Sequence, residues 1–344
     1  MKEAGLQLTD AYISNRMLPL NFKHEDQVLF QHELTCEIRP SYLLKIKNIF
    51  YTGGGLVQVT LNHKLPESFL LYNFIQRLPL FRYLFYTGKR RILQKVETIR
   101  EPVVFVIDHW SYGYFHWMAE VLPRLVAAKN KIGTHPVVLP AKFKMLPFVS
   151  ASLKQIGIDF RFLEQDCLYK LRNVVFISHF AETGNYNDLV LRKTRQLLYI
   201  ENNKSIQKRC VYISRKNAGK RYILNEVQII PILKSFKFEI VFAEELSFNQ
   251  QQILFSSTDI LVANHGAGLT NMLFMKPAGK VLELRCKNDT LNNCYFSLAS
   301  ALQLDYYYLD TEPVNQGENP HIANVIVNAH ELNELLQLIV TDNN

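Results

Sequence analysis

Short apolar runs alternate with helical stretches between residues 210 and 284, and this alternation restricts the fold more than any other feature of the chain. The runs CVYIS, EIVFA, DILVA and KVLEL have the length of buried strands, whereas NEVQIIPILKSF and SFNQQQILFSS have helical spacing. Strands that are separated by helices pair in parallel, and the helices cover the faces of the sheet. The sequence therefore predicts a doubly wound α/β half-domain in this region.

A second α/β pattern precedes it, because strand-like and helical runs also alternate from Pro102 to about residue 200. Residues 1–100 read instead as a β-rich region, in which Gly53–Gly55 separate the two strands of a hairpin. A chain of 344 residues exceeds the size at which one core usually keeps growing. We therefore predict three parts. They are 1–203 (β-rich 1–100, α/β 101–203), a Rossmann-like domain at 204–310, and a tail with a helix at 311–344 that packs back on either half.

Charged residues and one glycine-rich turn follow the predicted strands of the later half. Ligands of open parallel sheets bind outside the carboxyl ends of the strands, so these residues are expected to meet at one edge. They are Arg215, Lys216, Lys220, Arg221, Glu244, Glu245, the turn NHGAGLTN at 264–271, Glu283 and Arg285. The planar guanidinium group of arginine and the N–H groups at the start of a helix bind phosphate, and carboxylates accept hydrogen bonds from sugar hydroxyls. The set predicts a pocket for a nucleotide diphosphate.

Each member of this set also has a structural interpretation. The turn at 264–271 fits a tight strand-to-helix connection with a structural histidine. Arg215 could pair with Glu244 or Glu283 at a surface, and Ser247 to Gln250 could be a capped helix start.

Several nucleotide and hydrolase signatures are missing from the sequence. There is no G-x-x-x-x-G-K-[ST], no G-x-G-x-x-G and no G-x-S-x-G, which argues against kinase, dehydrogenase and hydrolase functions. No Asp-x-Asp is present, and LDTEP at Asp310 is interpreted as a structural turn that ends at proline. We therefore expect no metal and no cofactor, and arginines and helix N–H groups would balance the charge of the leaving group.

Three blocks of sequence resemble the motif blocks of glycosyltransferase family 61, which is found in capsular polysaccharide and plant xylosyltransferase-like proteins. The blocks are GYFHWMAEVLPRL, VYISRKNAGKRYILNE and EELSFNQQQILFSSTDILVANHGAGLTNMLFMKPAGKVLEL. The resemblance covers roughly residues 102–285 and leaves out the first hundred residues, where acceptor choice is expected.

The resemblance implies a GT-B architecture, in which two Rossmann-like doubly wound domains face a cleft. It implies a metal-independent enzyme that inverts the anomeric centre and uses a nucleotide sugar, with a UDP-linked donor expected. It also implies a set of donor-site residues, to which the strand-end pattern adds Glu283. The residues implied by the resemblance are Arg215, Arg221, Asn225, Glu244, Ser247, His265, Gly266, Ala267, Gly268, Leu269, Thr270 and Asn271.

An inverting transfer needs a base for the acceptor hydroxyl, which is expected in the first domain. His116 and Glu120 stand four residues apart on one face of a predicted helix, after the strand VVFVID. Histidine is a suitable base near neutral pH, and Glu120 could orient it or replace it. Asp108, at the end of the strand, is a third candidate. The alternative is that His116 packs beside the cleft without a catalytic role.

The expected function is transfer of a sugar to a glycan or lipid-linked glycan in capsular or surface polysaccharide synthesis. The alternative is a non-catalytic nucleotide- or glycan-binding protein on the same fold. The formal net charge of +8 favours anionic partners and leaves a nucleic-acid-binding rival, which the paired α/β halves argue against. We expect a cytoplasmic protein, since the N-terminus lacks a continuous apolar stretch. The basic run TGKRRILQK would suit peripheral contact with a membrane or a solvated loop.

Overall fold

The computed structural model describes residues 5–52, 57–58, 95–108, 110–200 and 208–341. The chain divides into two compact units, one of Met1–Tyr12 with Glu37–Thr183 and the other of Ile13–Cys36 with Gly184–Asn344. The domain borders at residues 203 and 310 stay predictions. The link at 202–207, the glycines at 53–55 and residues 87–94 of the basic run lie outside the described residues.

The described strands are numbered in chain order. They are β1 Leu6–Thr9, β2 Tyr12–Asn15, β3 Thr35–Ile38, β4 Ser41–Thr52, β5 Val57–Gln58, β6 Lys95–Phe105, β7 Val137–Pro140, β8 Phe160–Leu163, β9 Cys167–Ile177, β10 Cys210–Ile213, β11 Phe238–Val241, β12 Ile260–Asn264, β13 Lys280–Cys286, β14 Asp305–Pro313 and β15 Val325–Ile326.

The described α-helices are numbered in the same way. They are α1 Gln27–Phe30, α2 Tyr114–His116, α3 Leu122–Ile132, α4 Pro147–Gln155, α5 Asp188–Leu198, α6 Glu226–Ser235, α7 Phe248–Ser256, α8 Cys294–Ala301 and α9 Ala329–Thr341. Five segments of the described residues are 3₁₀-helical: His24–Asp26, Gln31–Glu33, Ala141–Met145, Ala243–Glu245 and Ala267–Phe274. Residues Trp117–Val121, between α2 and α3, form a π-helical turn.

The first unit is built on a mixed sheet of strand order β1-β4-β9-β6-β7-β8. Strands β9, β6, β7 and β8 run parallel, whereas β1 and β9 pair antiparallel with β4. Strand β5 pairs antiparallel with β4, as the predicted hairpin requires. Strands β2 and β3 form a small sheet of their own.

The second unit is built on a sheet of order β11-β10-β12-β13-β14-β15, in which only β15 is antiparallel among the described strands. One face carries Tyr212, Leu282 and Tyr307, which pack in a single core with Ile229 of α6 and Leu336 of α9. Every residue of β10 and β12 is buried, so both faces of the sheet are covered there, and these strands read as continuous apolar runs. The C-terminal helix, whose packing partner the sequence left open, contacts α6 of the second unit.

The prediction of an α/β fold with parallel-rich sheets is confirmed, and all four strands expected between residues 210 and 284 are present. The turn predicted at LDTEP is wrong, because Asp310 lies inside β14. This strand continues the parallel sheet, with Lys280 of β13 paired to Asp305 and Cys286 to Thr311. Pairing with β13 supplies the backbone hydrogen bonds that hold a polar stretch in strand form, and local propensity does not report such pairing. Among the described residues, no helix is long and apolar enough to span a bilayer.

Candidate functional site

The carboxyl ends of β10 and β12 are neighbours in the second sheet. The two strands pair in parallel, with Ile213 opposite Ala263. Arg215 follows β10 by two residues, and Gly266 follows β12 by two residues, so the topology brings the arginine loop and the glycine turn together. This is the edge at which ligands of open α/β sheets bind.

Arg215 and Gly266 are in close contact. A Cβ atom at residue 266 would lie 2.2 Å from Nη1 of Arg215 and 2.8 Å from its Cζ. The backbone of Gly266 is extended, with φ 163° and ψ 170°, so the glycine is needed for space and not for a left-handed conformation. The guanidinium also donates to the carbonyl of Arg221 from Nε at 3.1 Å and to the carbonyl of Lys220 from Nη2 at 3.0 Å. Arg215 is thereby fixed between its own loop and the turn.

Two arginines share this edge without a carboxylate partner. Burial, and then the nearby charge of Arg221, lower the pKa of Arg215. Among the described residues, neither guanidinium is within ion-pair distance of a carboxylate, although Glu244 and Glu283 were both considered as partners of Arg215. The Nε atom of Arg221 is buried and has no hydrogen-bond partner in this part of the chain. The edge therefore presents two guanidinium groups that no described carboxylate neutralises through an ion pair.

Arg221 adopts the left-handed conformation, with φ 57°. A non-glycine residue in this region is held by its surroundings. Here two donors hold its carbonyl, namely Nε of Arg215 and the side-chain amide of Asn264, which lies 2.7 Å away. The strained residue thus ties the arginine loop to the end of β12.

The imidazole of His265 is held by the buried carboxylate of Glu283. Its Nδ1 lies 2.5 Å from Oε1 of Glu283, and the other carboxylate oxygen accepts a hydrogen bond of 2.6 Å from the hydroxyl of Tyr306. The ring of His265 packs edge-on against Tyr295, with 5.0 Å between ring centroids. Glu283 is fully buried, so its place is beneath the turn, where it orients the histidine.

The rest of the turn winds into the 3₁₀ segment Ala267–Phe274. A Cβ at residue 268 would lie 3.1 Å from Cγ2 of Ile213, so Gly268 allows the segment to pack on the end of β10. Leu269, Thr270 and Asn271 are buried, and the N–H of Leu269 bonds to the carbonyl of Gly266 at 2.9 Å. These three side chains belong to the interior, and the turn offers a ligand its backbone.

Three further predicted donor residues lie in the loops around this edge. Glu244 is exposed in the 3₁₀ segment after β11, and its charge acts on Arg215. Ser247 caps α7 in a capping box with Gln250, as its structural interpretation expected. The amide of Asn225 bonds to the carbonyl of Val327 at 2.8 Å and accepts its N–H at 3.0 Å. Donor-binding roles for these three residues stay predictions.

In the first unit, His116 and Glu120 form a hydrogen-bonded pair. Nδ1 of His116 lies 2.8 Å from Oε2 of Glu120, and Oγ1 of Thr183 donates to Oε1 of the same carboxylate at 2.5 Å. Glu120 lies in the π-helical turn, and such turns occur frequently at functional sites. The carboxylate is 8% exposed and the imidazole 22% exposed, so the buried partner orients the accessible one. Because Nδ1 is bonded to Glu120, Nε2 is the nitrogen of His116 that can accept a proton.

Asp108 is engaged in a different network of the same unit. Its Oδ1 accepts hydrogen bonds from the N–H groups of Trp110 and Ser111 and from the hydroxyl of Ser111. Its Oδ2 lies 3.7 Å from Nη2 of the buried Arg124. Burial lowers the pKa of Arg124 to about 10, and the charge of Asp108 opposes that shift. These contacts give Asp108 a structural role, and its role as a base stays a prediction.

Sequence reasoning missed several residues of both groups. The pattern of the sequence assigns no role to Asn264, Tyr306, Thr183 or His321. The distance in sequence explains the omission, since Thr183 is 63 residues from Glu120 and Tyr306 is 23 residues from Glu283. One signal for the contact between Tyr306 and Glu283 is present in the sequence, because the tyrosines of YYYLD follow the glutamate-bearing run KVLEL. In the described part of the chain, no group of three or more His, Cys, Asp or Glu residues is placed to hold a metal ion.

A parallel sheet whose carboxyl edge carries arginines and a glycine turn is typical of nucleotide-binding α/β half-domains. The model of the family described as Glycosyltransferase 61 matches residues 114–282, which contain both the His116–Glu120 pair and the turn. Over this segment the predicted resemblance to glycosyltransferase family 61 is confirmed, and the relatives that share the segment are described as glycosyltransferases.

Curated relatives carry the same description in several animals. The chain is 33% identical over 119 residues to the EGF domain-specific O-linked N-acetylglucosamine transferase of Drosophila melanogaster, which covers 33% of this chain and 22% of the relative. It is 29% identical over 161 residues to the protein of that name from Pan troglodytes, with 44% of this chain and 30% of the relative covered. The matched region thus spans less than a third of the length of these relatives.

Proposed function

We propose that this protein transfers a sugar from a UDP-linked donor to an acceptor hydroxyl, with inversion, without a metal, and on a GT-B architecture. The observation that carries the proposal is the Arg215–Gly266 contact at the carboxyl edge of the second sheet. It places a half-buried guanidinium, with no carboxylate at ion-pair distance among the described residues, against the backbone of a turn where a Cβ would displace it. A diphosphate is the ligand that such an edge suits best.

The electrostatics of the edge favour an anion of more than one charge. Burial lowers the pKa of Arg215, and the positive charge of Arg221 lowers it further. A diphosphate that contacts both guanidinium groups carries negative charge between them, so each arginine is attracted to the ligand and their mutual repulsion is offset. Arginine presents parallel N–H donors to phosphate oxygens, so the interaction is directional as well as charged.

In the proposed reaction the His116–Glu120 pair supplies the base. Nε2 of His116 takes the proton of the acceptor hydroxyl, and the oxygen attacks the anomeric carbon of the donor. The bond from this carbon to the diphosphate oxygen breaks, and that oxygen keeps the electron pair. Glu120 holds the imidazole through Nδ1 and stabilises the imidazolium that forms. The arginines and the turn stabilise the negative charge on the leaving diphosphate.

The proposed acceptor is a glycan or lipid-linked glycan of surface polysaccharide synthesis. A second candidate is a hydroxyl group on a protein, and the names of the curated relatives favour it, since they specify EGF domains and N-acetylglucosamine. Both candidates are compatible with UDP-N-acetylglucosamine as the donor, which is therefore the probe for the first experiments. A cytoplasmic location and peripheral membrane contact stay predictions, and no nucleic-acid partner is proposed.

The test is calorimetric titration of the protein with UDP-N-acetylglucosamine, GDP-mannose and CMP in the presence of EDTA. We expect the UDP sugar to bind and Arg215→Ala to abolish the heat of binding. Arg209→Ala is the matched control, because Arg209 precedes the same strand and forms an exposed ion pair with Glu239 at 2.7 Å. Binding that needs a divalent ion would contradict the metal-independent proposal. Loss of binding in both variants would show that the arginine effect is not local.

The non-catalytic alternative is separated from the enzyme by turnover. Slow hydrolysis of the donor or transfer to a panel of glycan and peptide acceptors is measured by release of UDP. An enzyme loses this release in His116→Asn and keeps nucleotide binding. A binding protein shows no release in any variant.

A further inference from the structure

A segment beyond the family match lies against the arginine loop. Residues 319–328, between β14 and α9, bond to the loop that follows β10. The N–H of Val325 donates to the carbonyl of Tyr222 at 3.1 Å, and the N–H of Leu224 donates to the carbonyl of Val325 at 2.8 Å. The side chain of Asn324 accepts the N–H of Tyr222 at 3.2 Å. This ladder fixes the segment beside the proposed donor site.

The ladder continues at Asn225, whose amide bonds to both backbone groups of Val327. Asn225, one of the predicted donor-site residues, therefore anchors the segment. At the other end, Asn319 shapes a turn, because its side chain accepts the N–H of His321 at 2.9 Å and its carbonyl accepts the N–H of Ala323 at 3.1 Å. Ala323 is buried, so His321 is held on a short turn between two fixed points.

On this turn the side chain of His321 keeps an exposed surface, and the positive charges of the edge act on it. Burial lowers the pKa of His321, and the neighbouring Arg221, His265 and Lys220 lower it further. Asp289 acts in the opposite direction. The groups around His321 are thus predominantly basic and belong to the arginine loop and the glycine turn.

We propose that His321 is a further ligand of the donor diphosphate, and that its imidazole takes up a proton when the diphosphate binds. The proposal rests on the proposed function, since it concerns the same site. It is carried by the ladder that ties 319–328 to the arginine loop and by the turn at Asn319 that holds His321 three residues before Asn324, a place where the charges of Arg221 and His265 act on it. In this arrangement the segment adds to the donor site a side chain that lies outside the region matched by the family.

The direction of the proton linkage follows from the charges. Without the anion, the basic neighbours favour the neutral imidazole of His321. The negative charge of the diphosphate offsets these neighbours and favours the imidazolium, so binding is accompanied by proton uptake. Affinity should therefore rise as the pH falls, by up to about tenfold per pH unit for one proton taken up.

The experiment is calorimetric titration with UDP-N-acetylglucosamine at several pH values between 6 and 8, in buffers of different ionisation enthalpy. This ligand is chosen because both phosphates are esterified and have no protonation step in that range. The dependence of the heat on the buffer measures the protons taken up. We expect net uptake by the wild type, and a clear loss of that uptake in His321→Asn.

Two further variants make the result specific. His321→Lys supplies a permanent charge and is expected to bind with little dependence on pH, because no proton has to be taken up. His330→Asn removes an exposed histidine of α9 and should behave as the wild type. Thermal unfolding confirms that all three variants are folded.

The outcomes separate the two proposals. If the wild type binds the UDP sugar but His321→Asn retains the full proton uptake, the role of His321 is overturned and the donor site stands. If the wild type binds with no proton uptake, the role of His321 is overturned as well. If the wild type binds none of the tested nucleotide sugars, the proposed function fails, and the inference fails with it.

Discussion

Nδ1 of His265 lies 2.5 Å from a carboxylate oxygen of Glu283, and that carboxylate has no exposed surface. Residue 283 lies on β13 and pairs in register with Ala263 of β12, two residues before the histidine. The hydroxyl of Tyr306 satisfies the second oxygen. A buried carboxylate with both oxygens bonded in this way holds the imidazole in one orientation at the start of the glycine turn.

The first prediction concerns this carboxylate. Glu283→Gln keeps the shape of the side chain but removes the charge that holds His265, and it places an amide next to the hydroxyl of Tyr306. We expect the free energy of unfolding to fall by about 1–3 kcal/mol. Affinity for UDP-N-acetylglucosamine should fall by about tenfold, which corresponds to about 1.4 kcal/mol. Urea unfolding and calorimetry measure the two effects.

Glu239→Gln is the control for that variant. Glu239 is 48% exposed and pairs with Arg209 at the surface, so its loss should cost less than about 1 kcal/mol and leave ligand binding unchanged. An equal loss of stability in the two variants would contradict the structural role of Glu283.

The second prediction concerns space at the glycine turn. Gly266→Ala places a methyl group 2.2 Å from the Nη1 position of Arg215, so the guanidinium must move away from the turn. We expect binding of the UDP sugar to weaken by at least about tenfold, or about 1.4 kcal/mol. Calorimetry measures the affinity, and circular dichroism checks the fold.

Gly219→Ala is the matched control, because Gly219 lies in the arginine loop and a Cβ there meets no atom within 4 Å. This variant should bind as the wild type. If Gly266→Ala also binds as the wild type, the contact with Arg215 is not part of the binding site.

The third prediction separates the candidates for the base. His116→Asn should lower kcat by about 10²- to 10⁴-fold, the usual range for a general base, and leave the free energy of unfolding nearly unchanged. Asp108→Asn should instead lower the free energy of unfolding by about 1–3 kcal/mol, because three hydrogen bonds and the contact with Arg124 are disturbed. UDP release and urea unfolding are measured on both variants. A large loss of turnover in a stable Asp108→Asn protein would make Asp108 the base.

The fourth prediction is a dependence of stability on pH through His179. Burial, and then the charge of Arg124, hold the pKa of His179 well below 6.5 in the folded protein. Nη1 of Arg124 lies 3.1 Å from Nε2 of the histidine, and the carboxylate of Asp108 lies 3.5 Å from the same atom. In the unfolded chain the imidazole of His179 becomes protonated near pH 6.5, whereas in the folded protein it stays neutral at that pH. Unfolding therefore becomes easier as the pH falls below 6.5.

For one such proton the slope approaches about 1.4 kcal/mol per pH unit below 6.5. Urea unfolding of the wild type and of His179→Gln at pH 7.5, 6.5 and 5.5 measures the difference in slope. The variant should be less stable at pH 7.5, because it loses the contact with Arg124, and its stability should fall less steeply with acid. Parallel pH profiles would exclude His179 as the source.

Much of the second unit could be predicted from the sequence. The runs CVYIS, EIVFA and DILVA are short, apolar and separated by helical stretches, so period and length identify them as strands of a parallel sheet. Strand β14 is not predicted by its sequence, because LDTEP has the local composition of a turn and only pairing with β13 makes it a strand. The rule that ligands bind at the carboxyl ends of parallel strands was enough to select Arg215 and the turn at 264–271.

The sequence by itself determined the α/β class, the motifs of the family and the residues on which chemistry can depend. These follow from local periodicity and from residue type, which neighbours in the chain are sufficient to define. Only the tertiary structure decided the partners of those residues. It set Glu283 beneath His265, the guanidinium of Arg215 against Gly266, and the 319–328 segment beside Arg221. Such pairings depend on strand order and register, and these are fixed by packing between segments that lie far apart in the chain.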